Sequence, residues 1–252
     1  MPSASQKKMR YARQVALPEI GEAGQRRLAE ASVAIIGAGG LGSPAAYYLA
    51  AAGVGKIGLV DPDRVDVTNL QRQILHFTTD IGRAKTVSAR RKLLALNPET
   101  GVETHAVRLD RSNTDRVVGR YDFVVDATDN FESKFLIADS CHAMGKPCVH
   151  GGIRGFEGQL MTVLPGRTAC YRCVFDAPPP AKRGKPRGPL GVVPGVIGTL
   201  QAAEAIKWIL RKGELMTDCL LVFDALAGTF RRVAIKRNPK CRLCGRATCA
   251  SL

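Results

Sequence analysis

Two Cys-x-x-Cys pairs, Cys170/Cys173 and Cys241/Cys244, lie in the second half of the chain. Each pair can grip one edge of a tetrahedron. Four thiolates around zinc make a closed structural site with no open position for water. No histidine or carboxylate joins the set, so a catalytic metal is not expected. The remaining cysteines, Cys141, Cys148, Cys219 and Cys249, fall on predicted elements or in the tail and read as small apolar residues without a chemical role. The start of the chain, MPSASQKKMR, lacks the apolar core of an export signal, so disulfides are not expected and a cytoplasmic location follows by default.

A second constellation is the turn Gly37-Ala38-Gly39-Gly40-Leu41-Gly42. Gly37 permits a tight bend. Gly39 and Gly40 let the backbone approach phosphate oxygens, and Gly42 lets a helix pack closely on a strand. The N-terminus of the following helix offers unpaired N–H groups and about half a positive charge. Asp61 stands where a carboxylate could accept hydrogen bonds from ribose hydroxyls. On this motif alone the leading reading is an NAD-dependent oxidoreductase, and the bland one is a glycine turn with no ligand.

Other residues change that reading. Asn69-Leu70-Gln71-Arg72-Gln73 follows the second predicted strand, Lys85 opens a helix, and Asp129 and Asn130 sit just past the fourth strand. Ligands bind at the carboxyl edge of such sheets, so these side chains can converge on a polyphosphate. Nucleotidyl transfer needs that set, because fixed cations must stabilise charge developing on phosphate oxygens. Arg72 and Lys85 suit the task, and Asp129 suits Mg²⁺. The bland alternative is that each is a solvated surface charge.

The elements that must position these residues alternate. Strands are predicted at Ser32–Ile36, Lys56–Val60, Val102–Val107, Phe123–Val125 and Pro147–His150. Helices are predicted over Leu41–Ala52, Arg83–Leu96 and on to Met144. That rhythm predicts an α/β fold, a doubly wound and mostly parallel sheet. Antiparallel strands at Gln159–Leu164, Leu220–Phe223 and Phe230–Lys236 extend it, and a further helix covers Ile197–Arg211. Residues 1–31 read as an N-terminal helical segment. Residues 32–252 read as one domain, with a nucleotide-binding half at 32–152 and a zinc and carrier-binding half at 153–252. The stretch APPPAKRGKPRGP, residues 177–189, is proline-rich and basic without a large apolar side chain, and reads as a mobile loop.

The 252-residue chain is 45% hydrophobic and 23% charged, as soluble globular proteins are. It has no apolar run of membrane-spanning length. Its net charge of +15 attracts anions, whether phosphates, nucleic acid or an acidic protein. Only 6% of residues are aromatic and no basic recognition helix is evident, so nucleic acid is not the expected partner.

The ordered set GAGGLG, Asp61 and Asp63, NLQRQ, Lys85, DATDN, Cys170-Tyr171-Arg172-Cys173, Pro194-Gly195-Val196-Ile197-Gly198 and Cys241-x-x-Cys244-Gly245 resembles the ThiF/MoeB/HesA family, bacterial relatives of ubiquitin-activating enzymes. The resemblance runs from about Arg10 to Gly245. It implies a Rossmann-like fold and ATP-dependent adenylylation of the C-terminal carboxylate of a small ubiquitin-like sulfur carrier, MoaD- or ThiS-like. It implies ribose binding by Asp61, a nucleotide lining of Gly40 and Asn69–Arg72, phosphate contact by Lys85 and Mg²⁺ on Asp129. Arg13 resembles the arginine that family members supply across a homodimer interface. Molybdopterin and thiamine biosynthesis are the usual destinations of such carriers.

The chain departs from the family pattern in one place: Val174–Thr217 contains no cysteine, and Gly184 or a neighbour falls where many members carry one. The expectation is a reaction that stops at the acyl-adenylate or passes it to another protein's sulfur. A rhodanese-type extension of the kind some relatives use to donate sulfur is likewise not expected. The competing readings are activation of another carboxylate or amide, such as a peptide C-terminus or a modified tRNA base, and, more remotely, NAD-dependent redox chemistry or a non-catalytic binding module.

Overall fold

The computed structural model of the protein describes residues 4–178 and 188–245. Three helices lead in: α1 (Ala4–Arg10), α2 (Ala12–Val15) and α3 (Gly21–Glu30). There follow β1 (Ser32–Ile36), α4 (Gly42–Ala51), β2 (Lys56–Val60), α5 (Lys85–Leu96), β3 (Gly101–His105), α6 (Thr114–Val118), β4 (Phe123–Asp126), α7 (Phe131–Ala143) and β5 (Cys148–Arg154). The second half contains β6 (Glu157–Val163), α8 (Tyr171–Val174), α9 (Val192–Leu210), β7 (Cys219–Asp224) and β8 (Thr229–Ala234). No described helix is long and apolar enough to cross a membrane.

All eight strands join one sheet in the order β3-β2-β1-β4-β5-β6-β7-β8. The pairs from β3 to β5 are parallel, and those from β5 to β8 antiparallel. The chain winds outward from β1 in both directions, so a crevice opens where β1 lies beside β4. Alternation along the strands feeds two cores. Val33, Ile35, Phe123 and Val125 pack with Leu49 of α4, Leu93 of α5 and Ile197 of α9 on one face. Ala34, Ile36 and Val124 pack with Val118, Ile137 and the zinc-ligand candidates Cys170, Cys241 and Cys244 on the other.

Two elements extend by four or more residues beyond what their sequence suggests. β5 runs four residues past His150, through Gly151 and Gly152. These glycines make room rather than breaking the strand, because a Cβ on Gly151 would lie 2.7 Å from the Gln201 side chain of α9. α9 begins at Val192, ahead of the predicted Ile197, with Pro194 in its first turn, where a missing N–H costs nothing. The one-turn helices α6 and α8 are too short to show a period. Of the predicted mobile loop 177–189, residues 179–187, with Gly184, lie outside the described residues, as does Cys249.

Candidate functional site

The glycine turn leaves β1 at the crevice. Gly37 has φ +102°, and a Cβ there would lie 2.7 Å from Ala127 O in the loop after β4. A Cβ on Gly42 would meet Gly37 O at 1.8 Å. Both positions therefore demand glycine, for conformation and for close approach respectively. Gln73 packs on Gly39, its Nε2 3.5 Å from where a Cβ would stand, and Arg72 approaches Gly40 equally closely. α4 starts at the end of this turn and presents its N-terminus to the same space.

Asp61 is buried at the end of β2. It accepts the Ala38 N–H and the Asp63 N–H, each at 2.8 Å. Lys85, the first residue of α5, is buried too; its Nζ lies 2.9 Å from Asp63 Oδ2 and 4.0 Å from Asp61 Oδ1. Gln73 is buried with Oε1 lacking a hydrogen-bond partner. Such an orphaned acceptor beside a glycine turn marks a place where a ligand or water is expected. Asn69 ends a 3-10 turn over Val67–Asn69, and its carbonyl accepts from Arg72 N at 3.1 Å and Gln73 N at 3.0 Å, folding those side chains toward the glycines. Leu70 is half-buried there. Gln71 is exposed and turned the other way: its carbonyl lies 2.2 Å from the Cβ position of Gly191, beside the start of α9.

Asp129 is exposed in the loop after β4, with Asn130 Nδ2 donating to its Oδ1 at a long 3.4 Å. Its free lone pairs suit a hard cation. Asn130 caps α7, its Oδ1 accepting from Ser133 N at 2.9 Å. The register pairs Ile36 with Asp126, so this loop and the glycine turn leave the sheet side by side.

Arg13 is not brought to the turn within one chain. It is exposed on α2, whose neighbours hold the far end of α4: Gln14 Nε2 donates to Ala52 O at 3.0 Å, and Tyr11 packs on Gly53. A ten-residue helix separates that end from the turn by about 15 Å.

The four paired cysteines converge as predicted. Cys170 Sγ is 3.7 Å from Cys173 Sγ and 3.6 Å from Cys241 Sγ, and Cys173 Sγ is 3.4 Å from Cys244 Sγ. All four sulfurs lie within 4.8 Å of one another. Zinc–sulfur bonds of about 2.3 Å give a tetrahedral edge of roughly 3.8 Å, so the donor set fits a zinc ion. Cys141 and Cys148 are buried in the adjoining core, and Cys219 is half-buried on β7.

Several polar residues behind the site were missed by reading the sequence. Asp126, wholly buried, accepts from His150 Nδ1 at 2.8 Å, Lys134 Nζ at 3.2 Å and the Thr128 hydroxyl at 2.6 Å. Burial pushes its carboxyl up, but Lys134 and His150 outweigh that and hold it well below the usual carboxylate range. The network anchors the root of the Asp129 loop. Asp80 and Lys92 form a second buried pair, and His76 a third buried polar site. Asp126 was accessible as the first acid of DATDN. His76 and Asp80, in the run Ile74-Leu75-His76-Phe77-Thr78-Thr79-Asp80, had no spacing signal.

The ThiF family profile matches residues 11–243. A sulfur carrier protein adenylyltransferase of Thermus thermophilus is 46% identical over 244 residues, covering 94% of this chain and 90% of the relative. The SAMP-activating enzyme E1 of Haloferax volcanii is also 46% identical, over 239 residues, 94% of this chain and 88% of the relative. The adenylyltransferase and sulfurtransferase MOCS3 of Sus scrofa is 47% identical over 94% of this chain, which spans only 53% of that longer protein. Among solved structures, Escherichia coli MccB with ATP superposes with a TM-score of 0.83 at 28% identity, over 93% of this chain and 74% of MccB. With nearly the whole described chain matched, this protein belongs to the ThiF family.

Proposed function

We propose that this protein uses ATP to adenylylate the C-terminal glycine carboxylate of a small ubiquitin-like sulfur carrier, releasing pyrophosphate. One observation carries the reading: buried Lys85 with Arg72 and Gln73 gathered on a glycine turn at a helix N-terminus, beside the exposed carboxylate of Asp129. The names of the T. thermophilus and H. volcanii relatives support it.

ATP lies over Gly37, Gly39, Gly40 and Gly42, its ribose on Asp61. Lys85 and Arg72 neutralise phosphate oxygens as the carrier's carboxylate attacks the α-phosphorus and pyrophosphate departs. A carboxylate is already ionised at neutral pH, so no general base is needed. Asp129 would hold Mg²⁺, which supplies charge neutralisation on the phosphates. Arg13 of a second copy completes the cationic cage, its planar fork suited to phosphate oxygens. Cys170, Cys173, Cys241 and Cys244 would hold a structural zinc. Residues 32–152 serve the nucleotide and 153–252 the carrier. The product is a mixed anhydride that an external sulfur donor can convert to a thiocarboxylate.

Pyrophosphate exchange into ATP tests this. It should require a purified MoaD- or ThiS-like carrier with an intact glycine terminus. Exchange that ignores the carrier, or that a tRNA or short peptide drives instead, would transfer the site to another acceptor.

A further inference from the structure

The His76 ring bonds no side chain assigned to ATP, yet it joins three segments that build the phosphate end of the crevice. Its Nε2 lies 2.9 Å from the carbonyl oxygen of Ala38, inside the glycine turn. Its Nδ1 lies 2.9 Å from Ser88 Oγ on α5, the helix that Lys85 opens. His76 itself closes the segment that carries Asn69, Arg72 and Gln73.

The proton positions follow from the partners. A carbonyl only accepts, so Nε2 carries the hydrogen. Nδ1 then accepts from the Ser88 hydroxyl, and Ser88 accepts from Lys92 Nζ at 2.8 Å. Donors therefore run one way, from Lys92 through Ser88 and His76 to Ala38. Burial pushes the imidazole pKa down, consistent with a neutral ring.

The consequence lies in one peptide plane. In a trans peptide the C=O and the next N–H point in opposite directions. Pinning Ala38 C=O on the buried histidine therefore aims the Gly39 N–H away from the core. The Ala38 N–H is held on the other side by Asp61 Oδ2 at 2.8 Å. Rotation of that peptide turns on Ala38 ψ and Gly39 φ, and glycine leaves the second of these nearly free.

We propose that His76 is a positioning residue: by bonding Ala38 O through Nε2 it locks the Ala38–Gly39 peptide with the Gly39 N–H facing the nucleotide phosphates. The proposal rests on the adenylylation reading only in requiring that this turn bind ATP.

Two substitutions separate its two arms. In His76→Gln the amide nitrogen reaches the place of Nε2 and keeps the bond to Ala38 O. In His76→Asn the shorter amide reaches only the place of Nδ1, keeping Ser88 and losing Ala38. ATP affinity by calorimetry, and KM for ATP and for the carrier by pyrophosphate exchange, are the readouts. His76→Asn should weaken ATP by roughly tenfold, the size of effect that follows from one unpaired buried acceptor. The carrier KM should stay within about twofold, because carrier contacts are untouched. His76→Gln should recover most of the ATP affinity. If His76→Asn does not fold, His76→Leu serves: it fills much of the ring's space but offers no donor to Ala38 O, and ATP should again weaken selectively. Unchanged ATP affinity in the folded variant, or equal losses in His76→Gln and His76→Asn, overturns the proposal. A native protein that binds no ATP overturns the adenylylation reading, and this proposal with it.

Discussion

Lys85 stands where helix electrostatics disfavour a cation, at the first residue of α5, beside the positive end of the macrodipole. Asp63 and Asp61 keep it there. A cation held in that position is best used against a polyanion. Asp129 is the opposite case, exposed and weakly held, so its removal costs the fold little. Asp129→Ala should abolish adenylate formation while stability changes by less than about 0.5 kcal/mol, as for ordinary surface sites; pyrophosphate exchange and a thermal melt check both halves, and near-normal turnover would free Asp129 of its role. Asp80 differs again. Burial pushes its carboxyl up, but hydrogen bonds from Lys92 and the Phe77 N–H dominate, leaving it below the usual carboxylate range. Asp80→Asn leaves Lys92 buried and uncompensated, at about 3–5 kcal/mol. A depressed carboxyl contributes stability above its unfolded pKa, so the gap between native and variant is full at neutral pH. It should begin to close below about pH 4 and vanish only beneath the folded value. Urea melts across that range test it, and a gap that does not change with pH would contradict it. The motif residues at strand ends were legible from spacing. Asp80, Lys92 and His76 were not, because a buried polar residue is defined by partners distant in sequence.

At the scale of elements, the sheet was legible wherever β-branched runs alternate with helical stretches. The errors came from reading glycine and proline as punctuation. Gly151 and Gly152 lie within β5 because α9 crosses there, and Pro194 lies inside α9 because first-turn N–H groups are unpaired anyway. The cysteine knuckle joins α8 to the segment 241–244, neither of which has a large apolar core of its own. It also reaches the candidate site: Tyr171 packs against His150 with ring centroids 4.6 Å apart and planes tilted by 38°, and His150 bonds Asp126. Metal analysis should find one zinc per chain. Chelation, or Cys244→Ser, should lower stability by several kcal/mol, out of the order of 10 kcal/mol that zinc–thiolate sites contribute. Unfolding midpoints indifferent to chelator would dismiss the metal.

For the whole molecule, the position of Arg13 matters most. The family resemblance implies an arginine acting between copies, and the length of α4 fits that proposal, because the glycine turn of its own chain lies a helix length away, ~15 Å. Arg13→Ala and Lys85→Ala should each be inactive. Random mixing makes half of the dimers mixed with one of two sites whole, so about a quarter of native activity should return. No recovery would place the arginine's action elsewhere. If Arg13 acts in this way, the working unit would be two chains rather than one. Turnover per chain should therefore fall on dilution, as copies part, even with ATP and carrier saturating. On that proposal, expression level would set not only how much enzyme is present but what fraction of it is competent.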